Sequence, residues 1–349
     1  MRILIHGINF SPELTGIGKY TGEIAEWLAL RGHEVRVVTA PPYYPQWRVA
    51  EGFVNGWNTS ELISKQRFQP NPPPLGEGVK EGRAVNVYRC PLWVPAKPSG
   101  LKRVLHLASF ALSSFPVMLR QIFWRPDVVL VVEPPLFCAP QAWLVARLSG
   151  GKAWLHIQDY EMDAAFELGL LKGIMLRGLV AACERWMMRR FDRISTISQR
   201  MFDRAVTKGI APKHVVLFPN WVDLSSIQNG VSKLNRYREE LTISPDAVVA
   251  LYSGNMGGKQ GLEILAQVAR LLRNVPNLIF IFCGNGTGRD DLIALCNGLP
   301  NVQIIDLQPI ERLGELLTMA DIHLLPQRAD AADLVMPSKL TGMLASGRP

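Results

Sequence analysis

The chain holds 349 residues, 48% of them hydrophobic and 19% charged, with 25 prolines, 29 glycines and a net charge of +8. That length suits two domains, each large enough to bury its own core, and that composition excludes a disordered chain, a collagen and a small disulfide-stapled scaffold. The charge is uneven: residues 1–225 hold 27 Lys and Arg against 18 Asp and Glu, whereas residues 226–349 hold 11 against 12, so the positive field belongs to the N-terminal half. Such a field attracts phosphates, nucleic acid or an anionic membrane face.

In chain order, Arg2–His6, Glu34–Thr39, Val85–Tyr88, Val128–Val132, Ala153–Ile157, Arg193–Ile197 and Val215–Phe218 are short β-branched runs of strand length. Between them Ile17–Leu30, Leu101–Trp124, Pro140–Leu148, Met175–Phe191 and Gln199–Lys208 carry helical periodicity. Strand and helix in alternation predict a parallel sheet covered by helices on both faces. Asn55–Gly82 is polar and holds the run Asn71-Pro-Pro-Pro-Leu-Gly, so it is expected to be a long mobile surface loop.

Leu101–Trp124 is the most apolar helix, but Lys102, Arg103, His106, Arg120 and Pro116 punctuate it, which argues against a transmembrane span. Two readings stay open for it: a core-packing helix, or a helix lying at a membrane surface with Phe110, Phe115, Phe123 and Trp124 beside flanking bases.

Asp223–Ser244 is polar and reads as a connection. A second α/β unit then follows, with strands at Val248–Ser253, Leu278–Cys283, Val302–Asp306 and Ile322–Leu325. Its helices are expected at Gly261–Asn274, Gly288–Asn297 and Ile310–Met319. The boundary is placed at 225/226. The cysteines Cys90, Cys138, Cys183, Cys283 and Cys296 are odd in number and lack CxxC spacing. Most sit inside apolar runs, which favours buried thiols in a reducing cytoplasm over a disulfide framework, and Met1-Arg-Ile-Leu-Ile-His reads as a strand rather than a signal peptide.

Three stretches could carry chemistry. After the first strand come Gly16, Gly18 and Gly22, too far from the strand end for a dinucleotide fingerprint, but at a helix start approached by bare backbone. A phosphate or sugar site and a flexible loop are both open there. The second unit opens with Tyr252-Ser-Gly-Asn-Met-Gly-Gly-Lys-Gln-Gly-Leu-Glu: strand, glycine-rich loop, lysine, helix start, the order an anion site requires. Lys259 is then either an anion ligand or an exposed turn lysine, and the loop is not a Walker sequence.

Trp154-Leu-His-Ile-Gln-Asp-Tyr-Glu-Met-Asp puts His156 at a strand's carboxyl end with Asp159, Glu161 and Asp163 beyond it. Ligands of open α/β sheets bind at such ends, with a satisfied core histidine as the alternative. The residues lack zinc spacing and no cysteine is near, so no metal site is predicted. No GxSxG elbow or HExxH occurs, and dispersed bases without an RRM or zinc-finger pattern argue against nucleic-acid binding.

The stretches GINFSPELTGIGKYTGE, APPYYPQW, LHIQDYE, STIS, FPNW, YSGNMGGKQGLE and MPSKLT, spread from Gly7 to Thr341, make the chain similar to the GT-B retaining glycosyltransferases of family 4. Within them it resembles the colanic-acid-type fucosyltransferase branch of bacterial exopolysaccharide synthesis. The resemblance implies two Rossmann-like domains facing across a cleft, residues 1–225 on the acceptor and membrane side and 226–349 binding a nucleotide-sugar donor. It implies no cofactor and no metal. By similarity Gly16 and Gly18 line the diphosphate and acceptor side, His156 contacts the transferred sugar, and Lys259 neutralises the leaving diphosphate. Gly254, Asn255, Ser338 and Lys339 complete the donor site, with helix capping an open alternative for Ser338 and Lys339.

The activity so implied is transfer of a hexose, fucose from a GDP-linked donor in this branch. The acceptor is a polyprenyl-diphosphate-linked oligosaccharide at the inner face of the cytoplasmic membrane, which makes the chain cytoplasmic and peripheral. A GT-B sugar-nucleotide epimerase and a non-catalytic membrane-bound scaffold are the rival readings. Asn255 stands where the family usually has Arg, and Leu334 and Gly342 stand at its Glu–x7–Glu pair, with Asp333 a nearby substitute. The end at Gly347-Arg-Pro349, where the family continues into a further strand and helices, predicts a truncated C-terminal domain.

Overall fold

The computed structural model describes residues 1–13, 16–62, 84–96, 100–134, 136–160, 174–222, 224, 227, 235–257, 260–327 and 339–349. They form two compact units, one over Met1–Pro219 and one beginning at Asn220.

In the first unit the described strands are β1 (Arg2–His6), β2 (Glu34–Thr39), β3 (Asn58–Leu62), β4 (Val85–Arg89), β5 (Val128–Glu133), β6 (Lys152–Ile157), β7 (Arg193–Thr196) and β8 (Val215–Leu217). They form one sheet in the order β3-β4-β2-β1-β5-β6-β7-β8. Its helices are α1 (Ile17–Leu30), α2 (Gly100–Gln121), α3 (Ala139–Ser149), α4 (Ile174–Met188) and α5 (Gln199–Thr207). Strand β5 reads Val-Val-Leu-Val-Val-Glu because both sheet faces are covered, as a parallel sheet requires. The order reverses between β1 and β5, which pair in parallel, so a crevice opens beyond their carboxyl ends.

Helix α2 packs one face into the core, as the first of its two open readings expects. Leu107, Phe110, Ser114 and Met118, three or four residues apart, are buried, while Leu101, Leu105, Leu112 and Phe115 are exposed. No helix among the described residues is long and apolar enough to cross a membrane.

The second unit has β9 (Val248–Ser253), β10 (Leu278–Cys283), β11 (Val302–Ile305) and β12 (Ile322–His323), parallel and in the order β11-β10-β9-β12. Its described helices are α6 (Arg236–Glu240), α7 (Glu263–Leu271), α8 (Arg289–Cys296), α9 (Leu313–Met319) and α10 (Lys339–Ala345). Alternation along β9 and β10 splits the core in two: Ala250, Tyr252, Phe280 and Phe282 pack with α7 and α8, and Val249, Leu251 and Ile281 pack with Leu316 and Met319.

Three expectations need correction. Asn58–Leu62, expected within a loop, forms β3, paired antiparallel with β4 at the sheet edge. An edge strand needs main-chain partners on one side only, so its polar sequence gives no apolar alternation to read; residues 63–83 lie outside the described residues. The 223–244 connection contains α6, capped where Asn235 Oδ1 accepts from Tyr237 N and anchored by buried Tyr237 and Ile243. Four cysteines are buried, but Cys183 is exposed on α4.

Candidate active site

Beyond β1 in the first unit the chain runs to Gly16, which has φ +64° and precedes α1 without a side-chain cap. Beneath that start lies Glu13, a residue the sequence reading passed over. Its Oε1 accepts from Tyr43 N and Tyr44 N, each at 3.2 Å, and its Oε2 from Asn9 Nδ2 at 3.0 Å. The carboxylate therefore ties the loop after β1 to the loop after β2. Burial pushes its pKa up to about 7 against these donors and the nearby Arg89 guanidinium.

Gly18 exists for this carboxylate: a Cβ there would collide with Glu13 Oε2 and stand 2.7 Å from Glu13 Cβ. Arg89 is itself buried and donates to Ala40 O at 2.8 Å and Ser11 O at 2.7 Å, closing the network. Nearby, Tyr43 packs edge-on against both Trp47 and His106, whose rings are tilted to each other, with the Arg103 guanidinium 5.7 Å over the Trp47 ring.

His156 lies near the end of β6, only 1% exposed, with both ring nitrogens engaged. Gln158 Nε2 donates to Nε2 at 2.9 Å, leaving Nδ1 to carry the proton towards Ser195 Oγ at 2.8 Å. Trp154 Nε1 donates to the same hydroxyl at 2.8 Å, and Phe218 packs edge-on against the imidazole. Burial holds its pKa down to about 4, so the ring is neutral at physiological pH. Glu161 and Asp163 lie outside the described residues.

In the second unit β9 and β10 are parallel and in register, with Ser253 opposite Cys283, so the loops after them are neighbours. The β9 loop is Gly254-Asn255-Met256-Gly257; the β10 loop, Gly284-Asn285-Gly286-Thr287-Gly288, was missed by the sequence reading although it repeats the same glycine-rich signal. The loops are joined by Met256 N donating to Asn285 O at 2.9 Å and Gly288 N to Met256 O at 2.8 Å. A Cβ at Gly284 would collide with Gly254 O, and one at Gly286 would sit 2.6 Å from Asn255 Oδ1, so Asn255 fills the seam between the loops. Tyr252, fully buried, donates its hydroxyl to Asn255 O at 2.6 Å.

Lys339, the first residue of α10, reaches this loop pair. Its Nζ is 3.8 Å from the Tyr252 ring centroid and would stand 3.6 Å from a Cβ at Gly254. The structure thus brings Gly254, Asn255 and Lys339 together. Gly16 and Gly18 share a helix start, and His156 is enclosed separately. Lys259, Ser338, Asp333 and Leu334 lie outside the described residues. Gly342 packs closely on Leu317, where a Cβ would be 3.2 Å from Leu317 Cδ1.

Residues 15–221 match the family described as glycosyl transferase 4-like domain, and residues 235–335 match glycosyl transferases group 1. The chain is 47% identical over 353 residues to an Escherichia coli (strain K12) protein provisionally named colanic acid biosynthesis glycosyl transferase WcaI, covering 99% of this chain and 82% of that protein. Among solved structures it resembles sucrose-phosphate synthase from Thermosynechococcus elongatus, with TM-score 0.63 at 13% identity, covering 100% of this chain and 80% of the other. It also resembles Anabaena HepE in complex with UDP-glucose, with TM-score 0.62 at 12% identity, covering 100% and 79%.

Proposed function

The chain belongs to the family 4 glycosyltransferases of the GT-B fold, and from that premise we propose that it transfers a hexose from a nucleotide sugar to a lipid-linked oligosaccharide in exopolysaccharide synthesis. The observation that carries this reading is the pair of interlocked glycine loops at the ends of β9 and β10, with the Lys339 amine against them. Glycine loops that let a ligand approach the backbone, and a lysine amine beside them, at the carboxyl ends of parallel strands suit a diphosphate.

In the reaction the bond from the anomeric carbon to the diphosphate oxygen breaks and a bond to an acceptor hydroxyl oxygen forms on the same face. The hydroxyl proton leaves with the departing nucleoside diphosphate. Charge builds on the diphosphate as the sugar approaches an oxocarbenium ion, so fixed cations there lower the barrier. Lys259 and Lys339 take that role in this reading, with Gly254, Asn255 and Ser338 around the phosphates and no metal required. Gly16 and Gly18 border the acceptor side. His156, neutral and clamped, orients rather than exchanges protons. Likeness to the WcaI-type protein supports a place in colanic acid biosynthesis; a GDP-linked fucose donor is part of the proposal.

The acceptor's lipid would sit in the inner face of the cytoplasmic membrane, and the outer face of α2 fits that surface. Leu101, Leu105, Leu112 and Phe115 are exposed there, Lys102, Arg103 and Arg120 flank them, and the half-exposed Trp93 and the exposed Trp57, whose indole donates to Ser113 O at 3.2 Å, lie against the same helix. The double substitution Leu112→Asp, Phe115→Asp should weaken partitioning onto vesicles containing anionic lipid by about tenfold or more in a sedimentation assay. Unchanged partitioning would assign the membrane contact elsewhere.

The activity test supplies GDP-fucose and a lipid-linked oligosaccharide extract and follows labelled sugar. Transfer with retention is expected, unaffected by a chelator, with donor alone left unchanged. Lys259→Ala should lower the rate by roughly 10²-fold or more. Conversion of donor without acceptor would make the chain an epimerase, and transfer undiminished by Lys259→Ala would remove that residue from the site.

A further inference from the structure

We infer that Lys339 is a charge-switching ligand of the leaving diphosphate: its amine, held against Tyr252 and Gly254, is only partly charged at rest and takes up a proton when the diphosphate binds. The inference rests on the reading of the second unit as the donor site and adds to it the way that site acquires its charge.

The lysine chain runs along the bare face of Gly254, where a Cβ would meet its Nζ, Cε and Cδ at 3.6, 3.7 and 3.8 Å. The Nζ is shielded from solvent and has no hydrogen-bond acceptor among the described residues. An ammonium carries three donors, and burying all of them unsatisfied is costly, so the group sheds its proton instead. Burial alone lowers its pKa to about 7. The titratable group facing it from β9 is the Tyr252 phenol, whose hydroxyl is occupied by Asn255 O, and among the described residues no carboxylate contributes to the shift.

A lysine kept for structure would have been given an acceptor, and a methionine would fill this groove without polar cost. Part of the loops' donor capacity is already spent: the amides of Gly254, Met256, Gly257 and Gly288 are engaged by Cys283 O, Asn285 O, Gln260 Oε1 and Met256 O. Amide dipoles carry no net charge, so a dianion arriving at the loop pair is neutralised only by a side-chain cation. A neutral amine beside the loops gains its proton there, because the anion raises its pKa towards and beyond the ordinary lysine value. Before binding only part of an uncompensated buried charge has to be carried.

The experiment is calorimetric titration of the full chain with GDP and with UDP, each in two buffers of different ionisation heat, between pH 6.5 and 9. Wild-type chain should take up close to one proton per diphosphate near pH 8, and its affinity should fall by up to about tenfold per pH unit above pH 7. Lys339→Met should bind at least about tenfold more weakly, without that proton uptake and with a flat profile above pH 7. Lys339→Arg, charged at every pH, should restore affinity while keeping the profile flat. Equal heats in both buffers for the wild type, or the same proton uptake by Lys339→Met, overturns the inference while the donor reading stands. Absence of nucleoside diphosphate binding by the wild type overturns the donor reading and this inference together.

Discussion

Gly284→Ala is expected to cost the second unit roughly 3–5 kcal/mol and to abolish nucleotide binding with it. Gly284 has φ +154°, a conformation that side-chain-bearing residues rarely adopt, and its missing side chain points at the carbonyl oxygen of Gly254. That oxygen cannot retreat, because Gly254 N is held by Cys283 O at 2.9 Å and Met256 N by Asn285 O at 2.9 Å. The alanine methyl must therefore prise the β9 and β10 loops apart, and the Lys339 groove beside Gly254 opens with them. Hydrogen exchange followed by mass spectrometry should show faster opening at 248–257 and 278–288, with β1, β5 and β6 of the first unit unchanged. A loss under about 1 kcal/mol would mean that the loops are not interlocked as described.

Glu13→Gln should flatten a pH dependence that the wild-type first unit carries. Glu13 has a pKa raised from 4.5 to about 7 by burial, so the folded state holds its proton more tightly than the unfolded chain does. Such a group stabilises least once both states are ionised: its contribution is favourable at low pH and is lost as pH rises from about 4.5 to about 7. Relative to the Gln variant, wild type should lose up to roughly 3 kcal/mol across that window and nothing further above it. Glutamine keeps a carbonyl oxygen for the amides of Tyr43 and Tyr44, whereas Glu13→Ala leaves both without that acceptor and should be about 2–4 kcal/mol less stable than the Gln variant at every pH. Thermal melts of the three proteins at pH 5 and pH 8 read this directly. Parallel wild-type and Gln curves would show that Glu13 is not buried as a titrating group.

Much of this architecture was legible because its signals are local. Ile17–Leu30 in α1, Glu34–Thr39 in β2, and Val248–Ser253 and Leu278–Cys283 in β9 and β10 carry their own periodicity, and the structure returns the bounds read from them. Asn58–Leu62 escaped because an edge strand with polar residues has no pattern, only a partner, β4. Arg236–Glu240 escaped because one buried tyrosine and an Asn cap hide easily in a polar stretch.

At the candidate site, glycine loops are visible in sequence, and so is a lysine. Which lysine meets which loop is not. Lys339 belongs to α10 and finds Gly254 only through the fold. Glu13 likewise meets Tyr43 thirty residues on, and nothing near Glu13 marks it as buried. The neutral state of His156 comes from Gln158, Ser195 and Phe218 enclosing it, a cage assembled from three segments.

The central claim is that the interlocked loops of the second unit hold the diphosphate of a sugar donor. Its most direct test is hydrogen exchange of the full chain with and without saturating GDP, UDP and ADP. One of them should slow exchange at Gly254–Gly257 and Gly284–Gly288 and around Lys339. A nucleotide that binds while leaving those amides unprotected, or no binding by any of the three, would contradict the account.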